Sequence, residues 1–292
     1  MTEKAPLLTH TTSPTTTSPK TINYLAYGSN LNSKTLTDTR HIHPLNATPV
    51  RVPSLTLTFT LPGLPYIEPC FANVRPRLPL PPPPAKQERE LLGVVYSLRR
   101  EDYANLITSE GAGAGYQEVT VTCYPLNTPS PTGSKEITAR TLLCPEDSSS
   151  GELTRAGGQP SGRYLGLIRA GARERGLPDS YVEYLDGLRE YRITRVGQSV
   201  GKIVVLAVWG PVVALILLLN WVFGREGGGG RAPEWVLAFG RRVMGGVWGC
   251  YDAVFVKVFG DGECTEGEAP DFVAGEKSGG VDVEISEVGG EM

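Results

Sequence analysis

The chain has 292 residues and a formal charge of -3, with 28 Lys and Arg against 31 Asp and Glu. It therefore lacks the basic field that collects nucleic acid, and no nucleic-acid partner is expected. Its five cysteines, Cys70, Cys123, Cys144, Cys250 and Cys264, include no C-x-x-C pair, which argues against a disulfide framework or a thiolate zinc site and fits a reducing compartment.

Residues 1–20 are rich in Thr, Ser and Pro, with no apolar stretch and no arginine, and read as a disordered leader. From Ile22 the pattern turns apolar through Tyr24, Leu25, Ala26 and Tyr27 and stops at Gly28-Ser29-Asn30. This is the pattern of a buried strand running into a turn. His41 and His43 stand two apart without a third ligand nearby, so no metal is expected. Leu55 to Leu61 alternate with period two, as a half-buried strand does. The Leu80 to Pro84 run cannot donate ladder hydrogen bonds and reads as an exposed polyproline-type spacer.

Leu91 to Leu98 predict a core strand, Arg100 to Thr108 a short helix, and Glu118 to Tyr124 and Ile137 to Leu143 two further strands. After an acidic, Ser-rich loop at Glu146 to Glu152, a helix is expected from Pro160-Ser161-Gly162-Arg163-Tyr164 to Arg175. Gly176-Leu177-Pro178 stops it, and a second helix follows with Tyr181, Tyr184, Leu185 and Leu188 at helical spacing. Several strands, irregular connections and only short helices predict an α+β domain over residues 21–195, built on a curled or barrel-like sheet.

Beyond it, residues 203–223 carry no formal charge, and twenty-one residues at ~1.5 Å each match the ~30 Å hydrocarbon core of a bilayer. A transmembrane helix anchoring a cytosolic domain is the leading reading, a buried helix of the soluble core the other. Past the Gly227 to Gly230 linker, Val243, Val247, Val254 and Val258 share one face of a helix over residues 233–260, which fits an interfacial or a partner-packing helix. Residues 261–292 are Gly- and acid-rich and read as a disordered tail.

Two segments stand out chemically: the Tyr27-Gly28-Ser29-Asn30 turn, and Ser109-Glu110-Gly111-Ala112-Gly113-Ala114-Gly115-Tyr116. The second is no dinucleotide loop, because it leaves a helix and enters a strand, and no P-loop Lys follows. The first can aim backbone N–H groups at a small ligand, because Gly28 removes a side-chain obstruction.

Tyr24-Leu25-Ala26-Tyr27-Gly28-Ser29-Asn30-Leu31, Gly93-Val94-Val95-Tyr96, Glu110-Gly111 with Tyr116, and Pro160 to Tyr164 with Gly171-Ala172 and Gly176-Leu177-Pro178 resemble, in that order, the γ-glutamylcyclotransferases. The resemblance covers residues 22–190. It implies a small mixed β-barrel flanked by helices, a small γ-glutamyl substrate, and release of 5-oxoproline and free amine without a cofactor. It also implies substrate contact by the segment Tyr24, Leu25, Ala26, Tyr27, Gly28, Ser29 and Asn30, and by the hydroxyl of Tyr164.

The residue types suit that chemistry. A γ-glutamyl group carries its own nucleophile, the α-amine, so the protein must chiefly hold the chain folded and move protons. Glu110 is the candidate for both proton transfers, provided its setting is apolar and partly closed enough to raise its proton affinity. Two other readings stay open: a non-catalytic relative that binds a small amino compound, and a membrane-associated scaffold.

Overall fold

A computed structural model of the chain describes residues 21–77, 88–110, 116–126, 136–144, 154–226 and 232–266. The leader, the proline run, the glycine-rich residues 111–115, the acidic loop, the Gly227 to Gly230 linker and the tail beyond 266 lie outside the described residues.

Five strands close into a barrel in the order β1 (Thr21–Ala26), β5 (Leu91–Arg99), β2 (Asn46–Val52), β6 (Gln117–Pro125) and β7 (Ile137–Leu143). Neighbours run antiparallel except at the closing seam, where β7 pairs parallel to β1 through Tyr24 and Arg140. The expected small mixed barrel is thus present. Fully buried Leu25, Val50, Val52 and Leu91 share one face of its sheet by register.

β3 (Leu55–Leu64) and β4 (Glu68–Pro76) form a separate hairpin beside the barrel, with a register shift between Thr58 and Leu61. The sequence reading missed β4. Its alternating apolar positions, Cys70, Ala72 and Val74, are small and lie between Pro69 and Pro76, which masks the strand signal, and Asn73 on the other face is buried by bonding the Cys144 carbonyl at 2.8 Å.

α1 (Arg100–Ser109) follows β5 without a loop, and α2 (Gly162–Glu174) and α3 (Asp179–Asp186) lie where the periodicity predicts. Ser161 caps α2 by accepting the Tyr164 N–H at 3.1 Å.

α4 (Val196–Glu226) is longer than the apolar run alone, because it starts on a polar cap. Gln198, three residues in, accepts the Arg195 N–H at 2.9 Å and the Thr194 N–H at 2.6 Å. One helix is therefore long and apolar enough to cross a membrane. It nevertheless runs alongside the barrel domain. Gln198, Gly201, Val205, Ile216 and Asn220, at helical spacing, are buried, whereas Ile203, Leu206, Val208, Leu215, Leu218 and Trp221 face outward.

α5 (Glu234–Cys250) packs back on α4, followed by a wide π turn (Tyr251–Phe255) and a last helical turn, α6 (Val256–Phe259). The valines expected on one face are split: Val247 is buried, while Val254 and Val258 are exposed. The π turn inserts a residue into the helical repeat and rotates everything after it.

Residues 261–266, expected in the tail, are instead stitched to the domain. The Asp261 carbonyl accepts Gln198 Nε2 at 2.7 Å, the Thr265 N–H donates to Gln159 Oε1 at 2.8 Å, and Glu263 pairs with Arg155 at 2.6 Å. Arg155 also lies over the Trp248 ring at 4.3 Å, and Trp248 Nε1 donates to the Gly63 carbonyl at 3.1 Å. The composition is that of a tail, but its first six residues meet the hydrogen-bonding needs of Arg155, Gln159, the Tyr66 turn and the start of α4.

Candidate active site

β1 ends at Ala26, and the chain turns through Tyr27 and Gly28 into a single 3-10 turn, Ser29–Leu31. Two neighbours fix this turn. Tyr96 on β5 donates its hydroxyl to the Asn30 carbonyl at 3.1 Å. α2 presses on it at Gly171, where a Cβ would sit 2.4 Å from the Asn32 nitrogen and the Leu31 carbonyl carbon. Within the turn the first N–H groups, from Gly28 to Asn30, have no intrahelical acceptor.

Glu110 caps the C-terminus of α1 and faces the turn. Its Oε1 accepts Asn30 Nδ2 at 2.8 Å and Arg40 Nη2 at 2.8 Å, with the carboxylate side chain 17% exposed. Asn30 Nδ2 also reaches the Tyr24 hydroxyl at 3.1 Å, so one amide ties the turn, the strand and the carboxylate together. Asn30 Oδ1 is buried and has no hydrogen-bond partner.

From the opposite side Tyr164, in the first turn of α2, accepts the Ala72 N–H at 3.2 Å. Its hydroxyl lies 3.1 Å from where a Cβ on Gly28 would be. Only a residue without a side chain leaves the gap between them open.

The setting of Glu110 is partly closed, as expected, but it is not simply apolar. Arg40 supplies a cation on the very oxygen that Asn30 holds, and its Nη1 also donates to Ser109 Oγ. Burial, and after it the Glu110 charge, pushes the hydroxyls of Tyr24 and Tyr116 well above the ordinary tyrosine value. Burial does the same for Tyr164, opposed by the Ala72 N–H and reinforced by Glu110. The ring of tyrosines around the carboxylate is therefore neutral and able to donate hydrogen bonds.

Tyr24, Tyr27, Gly28, Ser29, Asn30, Glu110 and Tyr164 share the lining of one pocket of about 30 Å³. Leu25 and Ala26 do not reach it. Leu25 points the other way along the strand into the barrel core, and Ala26 is fully buried with too short a side chain to extend to the pocket. The sequence reading missed Arg40, which sits in an irregular stretch beside two exposed histidines, and Ala72, which contributes through its backbone on the unforeseen β4.

Outside this pocket, and sharing Ser29, Glu110, Tyr116 and Tyr164 with it, opens a cavity of about 490 Å³ whose far wall is made by α4 and α5. Among the described residues no three metal-ligating side chains are gathered in one place.

A closed mixed barrel flanked by helices is what the sequence motifs lead one to expect of the γ-glutamylcyclotransferases, and it is the fold observed. The sequence profile of the AIG2-like family matches residues 90–185, and that of the AclK C-terminal domain matches residues 195–258. A γ-glutamyl cyclotransferase of Aspergillus fumigatus, gliK, is 34% identical over 82% of this chain and 88% of its own. One of Aspergillus oryzae, aclK, is 31% identical over 82% of this chain and 89% of its own. A solved γ-glutamyl cyclotransferase is 23% identical, with a TM-score of 0.44 over 60% of this chain and 92% of that one. The chain belongs to the γ-glutamyl cyclotransferase family and is an enzyme of that class.

Proposed function

We propose that the enzyme converts a small γ-glutamyl amine into 5-oxoproline and the free amine, with Glu110 moving the protons. The observation that carries this reading is the 2.8 Å bond between Asn30 and Glu110, the one carboxylate among the described residues that line the small pocket, beside the Tyr24 to Asn30 segment.

The substrate's α-amine attacks its own γ-carbonyl carbon. A new C–N bond closes the five-membered ring, the old bond to the departing amine breaks, and no electrons leave the substrate, so the balance needs no cofactor. The α-ammonium gives up two protons on becoming the ring N–H and the departing nitrogen gains two on leaving as an ammonium ion, and Glu110 carries them in turn from one nitrogen to the other. The N–H groups from Gly28 to Asn30 hold the γ-carbonyl oxygen as it gains charge, or the substrate carboxylate. Tyr164 contributes its hydroxyl, Asn30 holds the turn and the carboxylate in register, and Arg40 steadies Glu110 from the other side. Leu25 and Ala26 support the segment from behind.

The test is mass spectrometry after incubating the full-length protein with γ-glutamyl dipeptides and glutathione. Release of 5-oxoproline is expected. Binding without turnover would instead identify a non-catalytic relative.

A second reading concerns location: the enzyme sits on a membrane, with its catalytic domain in the cytosol. The outward stripe of α4, from Ile203 to Trp221, together with exposed Trp235 and Phe239 of α5, supports it. Because the other face of α4 packs on α5 and the Tyr66 turn and walls the cavity at Glu110, this reading takes the form of a helix pair lying along the surface. Flotation with vesicles tests it, and release by alkaline carbonate distinguishes surface attachment from a span.

A further inference from the structure

We propose that the α4–α5 pair forms the leaving-amine subsite of this enzyme, with Asn220 as the specificity-determining residue that accepts a hydrogen bond from the amine portion of the substrate. The proposal rests on the cyclotransferase reading above and assigns the half of the substrate that the Tyr24 to Asn30 segment does not touch.

The argument begins with volume. About 30 Å³ beside Glu110 takes only the reacting end of a γ-glutamyl amine, so the departing amine must extend into the adjoining cavity, whose volume of about 490 Å³ is within the usual range of ligand sites. The two spaces share Ser29, Glu110, Tyr116 and Tyr164. A substrate whose γ-carbonyl end reaches the first therefore directs its amine into the second.

The far wall of the larger cavity is apolar: Val213, Ile216 and Leu217 from α4, and Gly240 and Met244 from α5. Two polar side chains interrupt it on that side. Arg241 is engaged by Glu234 on its own helix. Asn220 is only 3% exposed, and its Oδ1 is buried with no hydrogen-bond partner.

An unpartnered amide oxygen in an apolar wall costs free energy that folding alone does not return. On α4 two buried polar atoms lack a partner, Trp209 Nε1 and Asn220 Oδ1, and of these two residues only Asn220 lines the cavity. Asn220 lines the cavity, so a turn of its side chain brings the unpartnered oxygen to a donor that arrives with the ligand. Its neighbours four and seven residues earlier, Ile216 and Val213, line the same cavity. The recognised amine accordingly has an apolar body bearing one N–H or O–H donor.

The test compares three substrates on the full-length protein: γ-glutamyl-phenylalaninamide, which carries an apolar body and an amide donor, γ-glutamyl-phenethylamine, which keeps the body without the donor, and γ-glutamyl-alanine. Asn220→Leu is expected to lower the ratio of kcat/KM for the first over the second by about 3- to 10-fold, the worth of one neutral hydrogen bond, and to do so through KM. Met244→Trp, which fills the cavity, is expected to lower the ratio for the first substrate over γ-glutamyl-alanine by about 10-fold. Ratios that do not move, or equal losses on all three substrates, overturn the subsite. If the wild-type protein releases 5-oxoproline from none of them, the chemistry fails but the subsite is still decided by calorimetry with phenylalaninamide alone. Weaker binding to Asn220→Leu than to wild type sustains it, and equal or absent binding to both overturns it.

Discussion

The two spaces that meet at Glu110 are built in opposite ways. The inner pocket is small and its main groups are held by bonds of their own, as Asn30 is by Tyr24, Tyr96 and Glu110, and Tyr164 by Ala72. The outer cavity is more than ten times larger and mostly apolar, and its far wall comes from helices that follow the barrel domain in sequence. Chemistry that needs atoms fixed within a fraction of an ångström belongs in the first kind of space. Recognition of a variable group belongs in the second. On the proposed reading, the barrel supplies the reaction and the helix pair supplies the choice of substrate.

The sharpest way to break that division is Glu110→Gln. The amide keeps the shape of the carboxylate and can still meet Asn30 or Arg40, but it carries no proton between nitrogens. Turnover should fall by about 10²- to 10⁴-fold while the thermal transition barely moves. Normal 5-oxoproline release by this variant would remove Glu110 from the chemistry. Next in size is Gly171→Ala, which acts from outside both spaces. Its methyl group would overlap backbone atoms of Leu31 and Asn32 at 2.4 Å, so α2 must retreat from the turn. We expect a loss of about 2–3 kcal/mol in denaturant unfolding, with a matching drop in activity because the Ser29–Leu31 turn moves with it. Intact stability would mean that the helix adjusts without cost.

The barrel side was largely legible in the sequence and the helical side was not. Tyr24 to Asn30 announces itself because a buried strand must alternate and a turn needs glycine, and both signals are local. Glu110 stands out only through the motifs around it. Arg40 and Ala72 carry no signal of their own: Arg40 lies in irregular chain, and Ala72 matters through an N–H that every residue has. α4 was visible as an apolar helix, but periodicity cannot say what a helix packs against. Its buried stripe of Gln198, Gly201, Val205, Ile216 and Asn220 mixes polar, small and apolar types, which hides the face that touches the domain. The π turn after Cys250 defeated the one-face reading of the valines for a related reason, since one inserted residue shifts the helical phase without altering composition.

Alkaline titration separates the two spaces by their chemistry. The inner pocket is ringed by tyrosines whose hydroxyls are pushed up by burial, and just behind it Tyr96 is pushed up to about 12, with Arg175 opposing the shift. A tyrosine whose folded value is raised favours the folded state in its neutral form. That contribution is fully present below the unfolded value near ~10 and is lost as pH rises through the folded value. Stability should therefore hold to about pH 10 and fall above it, with phenolate absorbance from the buried rings appearing only together with unfolding. Phenolate signal from these rings at lower pH, with the fold intact, would mean that the inner pocket is wetter than its geometry indicates.

The smallest expected effect is also the finest probe of the inner pocket. The Tyr164 hydroxyl accepts the Ala72 N–H at 3.2 Å and lies beside the gap at Gly28, so it has a structural partner and an open side. Tyr164→Phe leaves the ring, including its edge-on contact with Phe71 at 5.0 Å, and removes both. Loss of the Ala72 bond alone should cost about 1 kcal/mol of stability and leave kinetics near those of the wild type. If the hydroxyl also holds the γ-glutamyl group, kcat/KM should fall a further 3- to 10-fold, about the worth of one hydrogen bond. A loss confined to KM would place the contact on the bound substrate, and a loss confined to kcat would place it on the charge that develops as the ring closes. Because Tyr164 lines both spaces, the comparison should be made with γ-glutamyl-alanine and γ-glutamyl-phenylalaninamide. Equal losses on the two would assign the hydroxyl to the shared acyl group, and unequal losses would extend the leaving-amine subsite to α2.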